Sequence, residues 1–128
     1  MERVEGIGGL FVWARDPAAL AQWYETHLGV DGAHGAWAPR GGTTIFAPFA
    51  EDDGYFPTAN RWMLNFRVRD LDAMTAQLDA AGIAVRTDPI WTSEVGRFAR
   101  IHDPEGNPIE LWEPSAMVRD HEAASTER

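Results

Sequence analysis

The chain has 128 residues and a formal net charge of -9, with 45% hydrophobic and 24% charged residues, which predicts one domain with its own core. The negative charge argues against nucleic acids or anionic membranes as partners. The absence of both Cys and Lys excludes disulfides, thiolate nucleophiles, zinc-thiolate sites and lysine Schiff bases.

No apolar run reaches the roughly 20 residues that a membrane span needs. The polar first residues do not resemble a signal peptide. A cytoplasmic location is therefore expected.

The first predicted unit is a strand followed by a helix, residues 7 to 30. Asp16 is a good N-cap, Pro17 favours the first helical position, and Gly29 favours the end of the helix. The larger side chains between Pro17 and Gly29 recur at the spacing of an α-helix. They are Leu20, Trp23, Tyr24, His27 and Leu28.

A second strand and helix follow the same pattern in residues 62 to 83. Asp70 is the predicted cap, Gly82 the predicted stop, and the apolar stripe consists of Leu71, Met74, Leu78 and Ala81. The pairs Arg15-Asp16 and Arg69-Asp70 lie 54 positions apart. The chain therefore contains two copies of one unit.

Further strand-like segments follow each helix. They are residues 33 to 39 and 43 to 49 in the first copy, and 84 to 87, 96 to 103 and 108 to 113 in the second. This pattern predicts an α+β fold of two βαβββ modules, about 7 to 50 and about 61 to 114, within one domain spanning 1 to 128.

Two other segments are polar. Residues 51 to 60 form the predicted linker, in which Glu51, Asp52 and Asp53 could bind a cation, although the pattern favours a solvated linker. The tail, 115 to 128, is expected to fray or to form a short surface helix.

The ending HDPEGNPIELWEP, residues 102 to 114, combines turn residues with two extended runs around Glu110. Together with the repeat, it resembles the vicinal oxygen chelate superfamily, which includes glyoxalase I, bleomycin-resistance proteins and ring-cleaving dioxygenases. The resemblance implies two βαβββ modules whose mixed sheets curl around a cavity, usually in a homodimer. It also implies one divalent ion in members that do chemistry, with ligands on the first and last strands of each module.

The implied ligand positions carry unsuitable side chains. The last-strand ligand of the second module falls on Glu110, whereas the other three fall on Gly9, Phe46 and Met63. Glycine and phenylalanine cannot ligate, and a thioether is a poor ligand for hard or borderline divalent ions. No cofactor is therefore expected, and a divalent metal at Glu110 would need other ligands, for which His34 and His102 are the candidates.

Strand alternation independently predicts which side chains face the cavity. The helix-facing set is apolar and includes Leu64, Phe66, Ile109 and Leu111. The opposite set supplies the predicted ligand-binding residues Phe11, Trp13, Phe46, Met63, Asn65 and Trp112, together with Arg67 and Glu110. Aromatic walls of this kind favour a flat or largely apolar ligand, although the same rings could simply fill the cavity or a dimer interface.

Three roles for Glu110 remain open. It could pair with Arg67 or with Arg100 across the hairpin, act as a general acid or base with those arginines, or bind a metal. An ion pair would suit a metal-independent binding protein of the bleomycin-resistance kind. An acid or base would suit a metal-free isomerase or hydrolase, and a metal ligand would suit a lyase or dioxygenase with a rebuilt metal site. Ligand binding is expected to quench the fluorescence of Trp13 or Trp112.

Overall fold

Both predicted helices form, and their N-caps are the predicted residues, whereas the C-cap of the second helix is Ala81, one residue before the predicted stop at Gly82. The computed structural model describes residues 1–3, 7–31, 37–39 and 41–126. Helix α1 spans Pro17–Leu28, with the Asp16 carboxylate accepting from the Ala19 amide at 3.1 Å, and it ends at Gly29 with φ of +71°. Helix α2 spans Leu71–Ala80, and Asp70 accepts from the Ala73 amide at 3.0 Å.

The strands within the described residues form a three-stranded mixed sheet, which is open rather than curled. Strand β1 (Leu64–Arg67) runs parallel to β3 (Pro108–Pro114), and β2 (Gly96–His102) pairs antiparallel with the other side of β3. The order is therefore β1-β3-β2, which leaves β1 at an edge. The chain is thus an α+β protein, as predicted.

The strand alternation determines the core. Ile109 and Leu111 are fully buried on the helix-facing side of β3, next to Leu78 of α2. Tyr24 of α1 packs against the same cluster. Helices α1 and α2 therefore cover one face of the sheet, and the opposite face is left for Glu110 and Trp112.

Two carboxylates on or near β3 fix the starts of these helices. Glu105, in the β2–β3 turn, accepts from the backbone amides of Arg15 and Asp16 at 2.7 and 3.1 Å. Glu113 accepts from the Leu71 amide at 2.9 Å. The pKa of each carboxyl lies below its usual value because these backbone donors stabilise the anion.

The first module differs from the prediction in its strands. Residues 7–14 and 43–49 are in no strand of the described structure, and the predicted strand 33 to 39 falls mostly outside the described residues. In the second module, residues 84 to 87 form only the isolated bridge between Arg86 and Arg100. The arrangement of two βαβββ modules therefore stays a prediction.

The polar tail forms a regular helix. Helix α3 spans Ala116–Thr126, immediately after β3. Of the two outcomes expected for this segment, a helix is the one that forms. No helix within the described ranges is long and apolar enough to cross a membrane.

Candidate functional site

A large cavity lies on the face of the sheet opposite α1 and α2. Its volume is about 1190 Å³, somewhat above the roughly 300 to 1,000 Å³ that is usual for small-molecule sites. The lining comes from residues 43–49, the predicted linker, all three strands and α3. Most of the lining side chains are apolar, and the polar groups that converge on the cavity include Tyr55, Asn65, Glu110 and His121.

Glu110 forms the polar centre of the cavity floor. It is 7% exposed and lies opposite Asn65 on β1 and opposite Arg100 on β2. The Asn65 amide donates to Glu110 Oε1 at 2.7 Å, and the Tyr55 hydroxyl donates to Oε2 in a short hydrogen bond. Two neutral donors therefore hold the carboxylate.

Tyr55 is a site residue that the sequence reading missed, because it lies in the segment interpreted as an acidic linker. Its ring packs between Phe49, at 5.4 Å between centroids, and Trp91, at 6.1 Å. Burial and the hydrogen bond to Glu110 raise the pKa of the Tyr55 hydroxyl above its usual value. Tyr55 is consequently a protonated donor at neutral pH. The sequence feature that could have revealed it is the aromatic pair Tyr55-Phe56, because two adjacent aromatic residues in an otherwise polar segment suggest a buried contact.

Arg100 supports Tyr55 and does not pair with Glu110. Its Nη2 donates to the Tyr55 carbonyl oxygen at 3.1 Å, and its guanidinium lies 5.1 Å from the centre of the Tyr55 ring. The residue is 6% exposed, and its Nε finds no hydrogen-bond partner in the described structure. Arg100 therefore anchors the segment that brings Tyr55 to the floor.

Arg67 points to a different carboxylate. Its Nη1 and Nη2 donate to the two oxygens of Glu122 on α3 at 3.0 and 2.6 Å. The Arg67 guanidinium holds the pKa of the Glu122 carboxyl at about 2. Within the described ranges, no ion pair shorter than 4.0 Å involves Glu110.

The predicted ligand-binding residues fall into two groups. Phe46, Met63, Asn65 and Trp112 line the cavity, whereas Phe11 and Trp13 are 94% and 100% exposed and lie outside its lining. Trp112 is held in place by its indole N–H, which donates to the Val95 carbonyl oxygen at 3.0 Å.

Several lining residues were not anticipated. Trp62 lies one residue before the predicted cavity-facing run, and Phe98 stacks on Trp112 with an interplanar angle of 5°. Met117, Val118 and His121 come from the tail. The tail was interpreted as a polar surface segment, so its two larger apolar residues, Met117 and Val118, were not assigned to the cavity.

Comparison with known proteins identifies the family of this chain. The model of the glyoxalase-like domain family matches residues 9–112. The chain belongs to this family. In the mycobacteria Mycobacterium bovis and Mycobacterium tuberculosis, the protein named "Putative glyoxylase CFP32" is 39% identical over 56 residues. That match covers 44% of the chain and only 22% of the mycobacterial protein.

A solved structure shows the same fold. TnmS3, described as an antibiotic binding protein from Streptomyces sp. CB03234, superimposes with a TM-score of 0.59 and 24% identity. The alignment covers 90% of the chain and all of TnmS3. This likeness shows that the two chains share a fold and leaves the ligand of this chain open.

The residues that the structure describes do not fit the metal site that many members of this superfamily carry. No group of three or more His, Asp or Glu side chains able to hold a metal occurs in the described part of the chain. His102 is exposed at the end of β2, and His34 lies outside the described residues. Both oxygens of Glu110 already accept hydrogen bonds from neutral donors. No chemistry through a metal is therefore assigned to this site.

The floor can still recognise a ligand by hydrogen bonding. Each carboxylate oxygen has two acceptor positions, and Asn65 and Tyr55 use one on each oxygen of Glu110. The remaining positions suit a hydroxyl or N–H group on a molecule that is otherwise surrounded by aromatic side chains.

Proposed function

We propose that the chain binds a flat, largely apolar small molecule in the cavity, and that Glu110 accepts a hydrogen bond from that molecule without the help of a metal. The observation that supports this most directly is the floor itself, a carboxylate held by Tyr55 and Asn65 beneath aromatic walls. Binding of this kind would suit a sequestering resistance protein. TnmS3, which shares the fold, is described as an antibiotic binding protein.

The aromatic walls supply the affinity in this proposal. Trp112 and Phe98 stack with centroids 6.2 Å apart, and Phe46, Trp62 and Met63 also line the cavity. Burying aromatic surface against such rings is favourable by about 25 cal/mol per Å² of apolar area. Glu110 then supplies selectivity, because a ligand that carries no donor leaves its desolvated carboxylate with fewer hydrogen bonds than water would give it.

A matched pair of probes tests the role of Glu110. The protein is expected to bind 1-naphthol about tenfold more tightly than 1-methoxynaphthalene, since a hydrogen bond to a charged group contributes about 1.5 kcal/mol or more. Glu110→Gln should remove this preference and change the affinity for 1-methoxynaphthalene little. Quenching of tryptophan fluorescence, through Trp62 and Trp112 of the cavity wall, measures both affinities.

Glu25→Gln is the control for this experiment, because Glu25 is exposed on α1 and lies outside the cavity. It should leave both affinities unchanged. A wild-type protein that binds neither probe, or a preference for 1-naphthol that survives Glu110→Gln, would contradict the proposal. Elemental analysis of protein purified without chelator tests the metal: a stoichiometric divalent ion that is lost in Glu110→Gln would favour a metal-assisted lyase or dioxygenase instead.

The proposal includes a homodimer in which two βαβββ modules, about 7 to 50 and about 61 to 114, enclose the cavity. The support is the exposed surface. A folded chain of 14.2 kDa exposes about 6,800 Å², whereas this chain exposes 9715 Å². The excess of about 2,900 Å² is well above the roughly 800 Å² that each partner contributes to a standard interface.

Many of the exposed large apolar side chains lie in the strand-like segments of the first module. Exposed large apolar side chains occur in 7–13 and in 45–49, namely Ile7, Leu10, Phe11, Val12, Trp13, Ile45, Phe46 and Phe49. Several exposed large apolar side chains close together along the chain are typical of an interaction site. A second copy that covers 7–13 would place Phe11 and Trp13 in an apolar environment, as the alternation of the strand predicts.

Sedimentation velocity tests the dimer. The wild-type chain is expected to sediment as a dimer at micromolar concentration, and Trp13→Glu should shift it to monomer because a buried, unpaired carboxylate opposes association. Ile90→Glu is the matched control, since Ile90 is 80% exposed and outside both segments. A monomeric wild-type protein, or equal effects of the two substitutions, would count against this interface.

A further inference from the structure

Helix α3 contributes a wall to the cavity. Met117, Val118 and His121 line it, and their spacing of three and four residues places them next to one another on one face of the helix. These three residues are called the α3 wall below. They offer a ligand two apolar side chains and one imidazole.

The α3 wall is not part of the hydrophobic core. No side chain in residues 116–125 is buried, and Met117 is 54% exposed. Polar contacts hold the start of the helix: Arg119 donates to the carbonyl oxygens of Pro114 and Val68 at 3.2 and 3.0 Å. The position of α3 therefore depends on a few polar contacts more than on packing.

The second half of α3 is held by Glu122. Its carboxylate accepts from both Nη atoms of Arg67 and, in a short hydrogen bond, from the backbone amide of Thr43. Arg67 also donates to the Thr43 carbonyl oxygen at 3.3 Å. Thr43 itself lines the cavity. One ion pair thus joins α3, β1 and residues 43–49 at the cavity edge.

Gly42 leaves space for the Arg67 guanidinium because it has no side chain. A Cβ atom at Gly42 would overlap the Arg67 guanidinium and lie 2.7 Å from its Nη2. Arg67 also lies over the Trp112 ring, at 5.4 Å from its centre. The guanidinium is therefore fixed between a cavity-wall aromatic, a glycine and the carboxylate of α3.

We propose that the α3 wall contacts the bound ligand, and that Arg67 and Glu122 are positioning residues that hold this wall against it. The inference rests on the proposed binding function. It gives Arg67 a role that acts through α3, in place of direct contact with the ligand.

Hydrogen exchange measured by mass spectrometry, with and without saturating 1-naphthol, tests the contact. The amides of α3 should exchange more slowly when the probe is present, because a ligand against the α3 wall opposes opening of the helix. In Glu122→Gln the free protein should show faster exchange in α3, while α1 and α2 exchange as in the wild type.

Affinity gives the second readout. Glu122→Gln and Arg67→Met are each expected to weaken 1-naphthol binding about fivefold. The double variant should be no weaker than the more affected single variant, because both substitutions break the same contact. Asp120→Asn is the control, since Asp120 is exposed on the same helix. Met117→Ala tests the wall directly and should also weaken binding, with a melting temperature near that of the wild type.

The outcomes separate the two proposals. A wild-type protein that binds 1-naphthol without slower exchange in α3, or whose affinity is unchanged by Glu122→Gln and by Met117→Ala, overturns the role of the α3 wall and leaves the binding function intact. A wild-type protein that binds no probe overturns the binding function and, with it, this inference.

Discussion

Gly96→Ala is expected to lower the free energy of unfolding by about 3 kcal/mol or more. Gly96 begins β2 with φ of +139°, a backbone conformation that other L residues rarely adopt. A Cβ atom there would overlap the carbonyl oxygen of Glu113 and lie 2.8 Å from Trp112 Nε1. Neither neighbour can yield easily, because Glu113 belongs to the central strand and the Trp112 indole is hydrogen-bonded.

Gly106→Ala is the matched control for this substitution. Gly106 also has positive φ, at +85°, but an added Cβ would meet no atom within 4 Å. It should therefore cost only the backbone strain, about 1 kcal/mol. Urea unfolding measures both values, and equal losses would show that the contacts of Gly96 do not matter. Gly96→Ala should also weaken 1-naphthol binding, since it displaces Trp112 from the cavity wall.

Local signals in the sequence were sufficient for the helices and the core. Asp16 and Asp70 cap α1 and α2 because capping depends only on residues three positions away. Strand alternation placed Ile109 and Leu111 against the helices and Glu110 on the other face, because side-chain direction follows from the backbone alone.

The parts that could not be predicted depend on contacts between distant segments. Tyr55 reaches Glu110 across 55 positions, and Glu122 reaches Arg67 across the same separation. Nothing in an acidic linker or a polar tail indicates such a contact before the sheet exists. The strands of the first module were predicted from the alternation of apolar side chains. Alternation indicates that one face of a strand is covered, but it does not indicate whether the same chain or a second copy covers it. Sedimentation velocity of the wild type and of Trp13→Glu decides between these two possibilities.

Arg100 shows that neighbouring positions in a sheet need not make the contact that their charges suggest. It lies opposite Glu110 in the β2–β3 ladder, where an ion pair was one of the alternatives. The structure places the Tyr55 ring and carbonyl oxygen against the guanidinium instead. The Glu110 oxygens therefore accept hydrogen bonds from Tyr55 and Asn65 instead of Arg100. Their remaining acceptor positions are the ones that the proposed ligand would use.

Asp103→Ala is expected to lower the free energy of unfolding by about 3 kcal/mol, because it removes the acceptor that organises the β2–β3 turn. Asp103 is 5% exposed. Its Oδ1 accepts from the amides of Glu105 and Asn107 at 2.9 and 3.0 Å, and its Oδ2 accepts from Asn107 Nδ2 and the Tyr24 hydroxyl, both at 2.7 Å. Without this carboxylate, all four donors lose a partner, three of them in a turn that also binds the start of α1 through Glu105.

Two further variants separate the contributions of Asp103. Tyr24→Phe removes only the contact with α1 and should cost about 1 kcal/mol. Asp103→Asn keeps an acceptor for the turn amides but loses the charge, so its effect should lie between the other two. Urea unfolding at neutral pH gives all three values. If Asp103→Ala cost no more than Tyr24→Phe, the turn would be organised by its Pro and Gly residues alone, and Asp103 would serve only to hold α1 against the sheet.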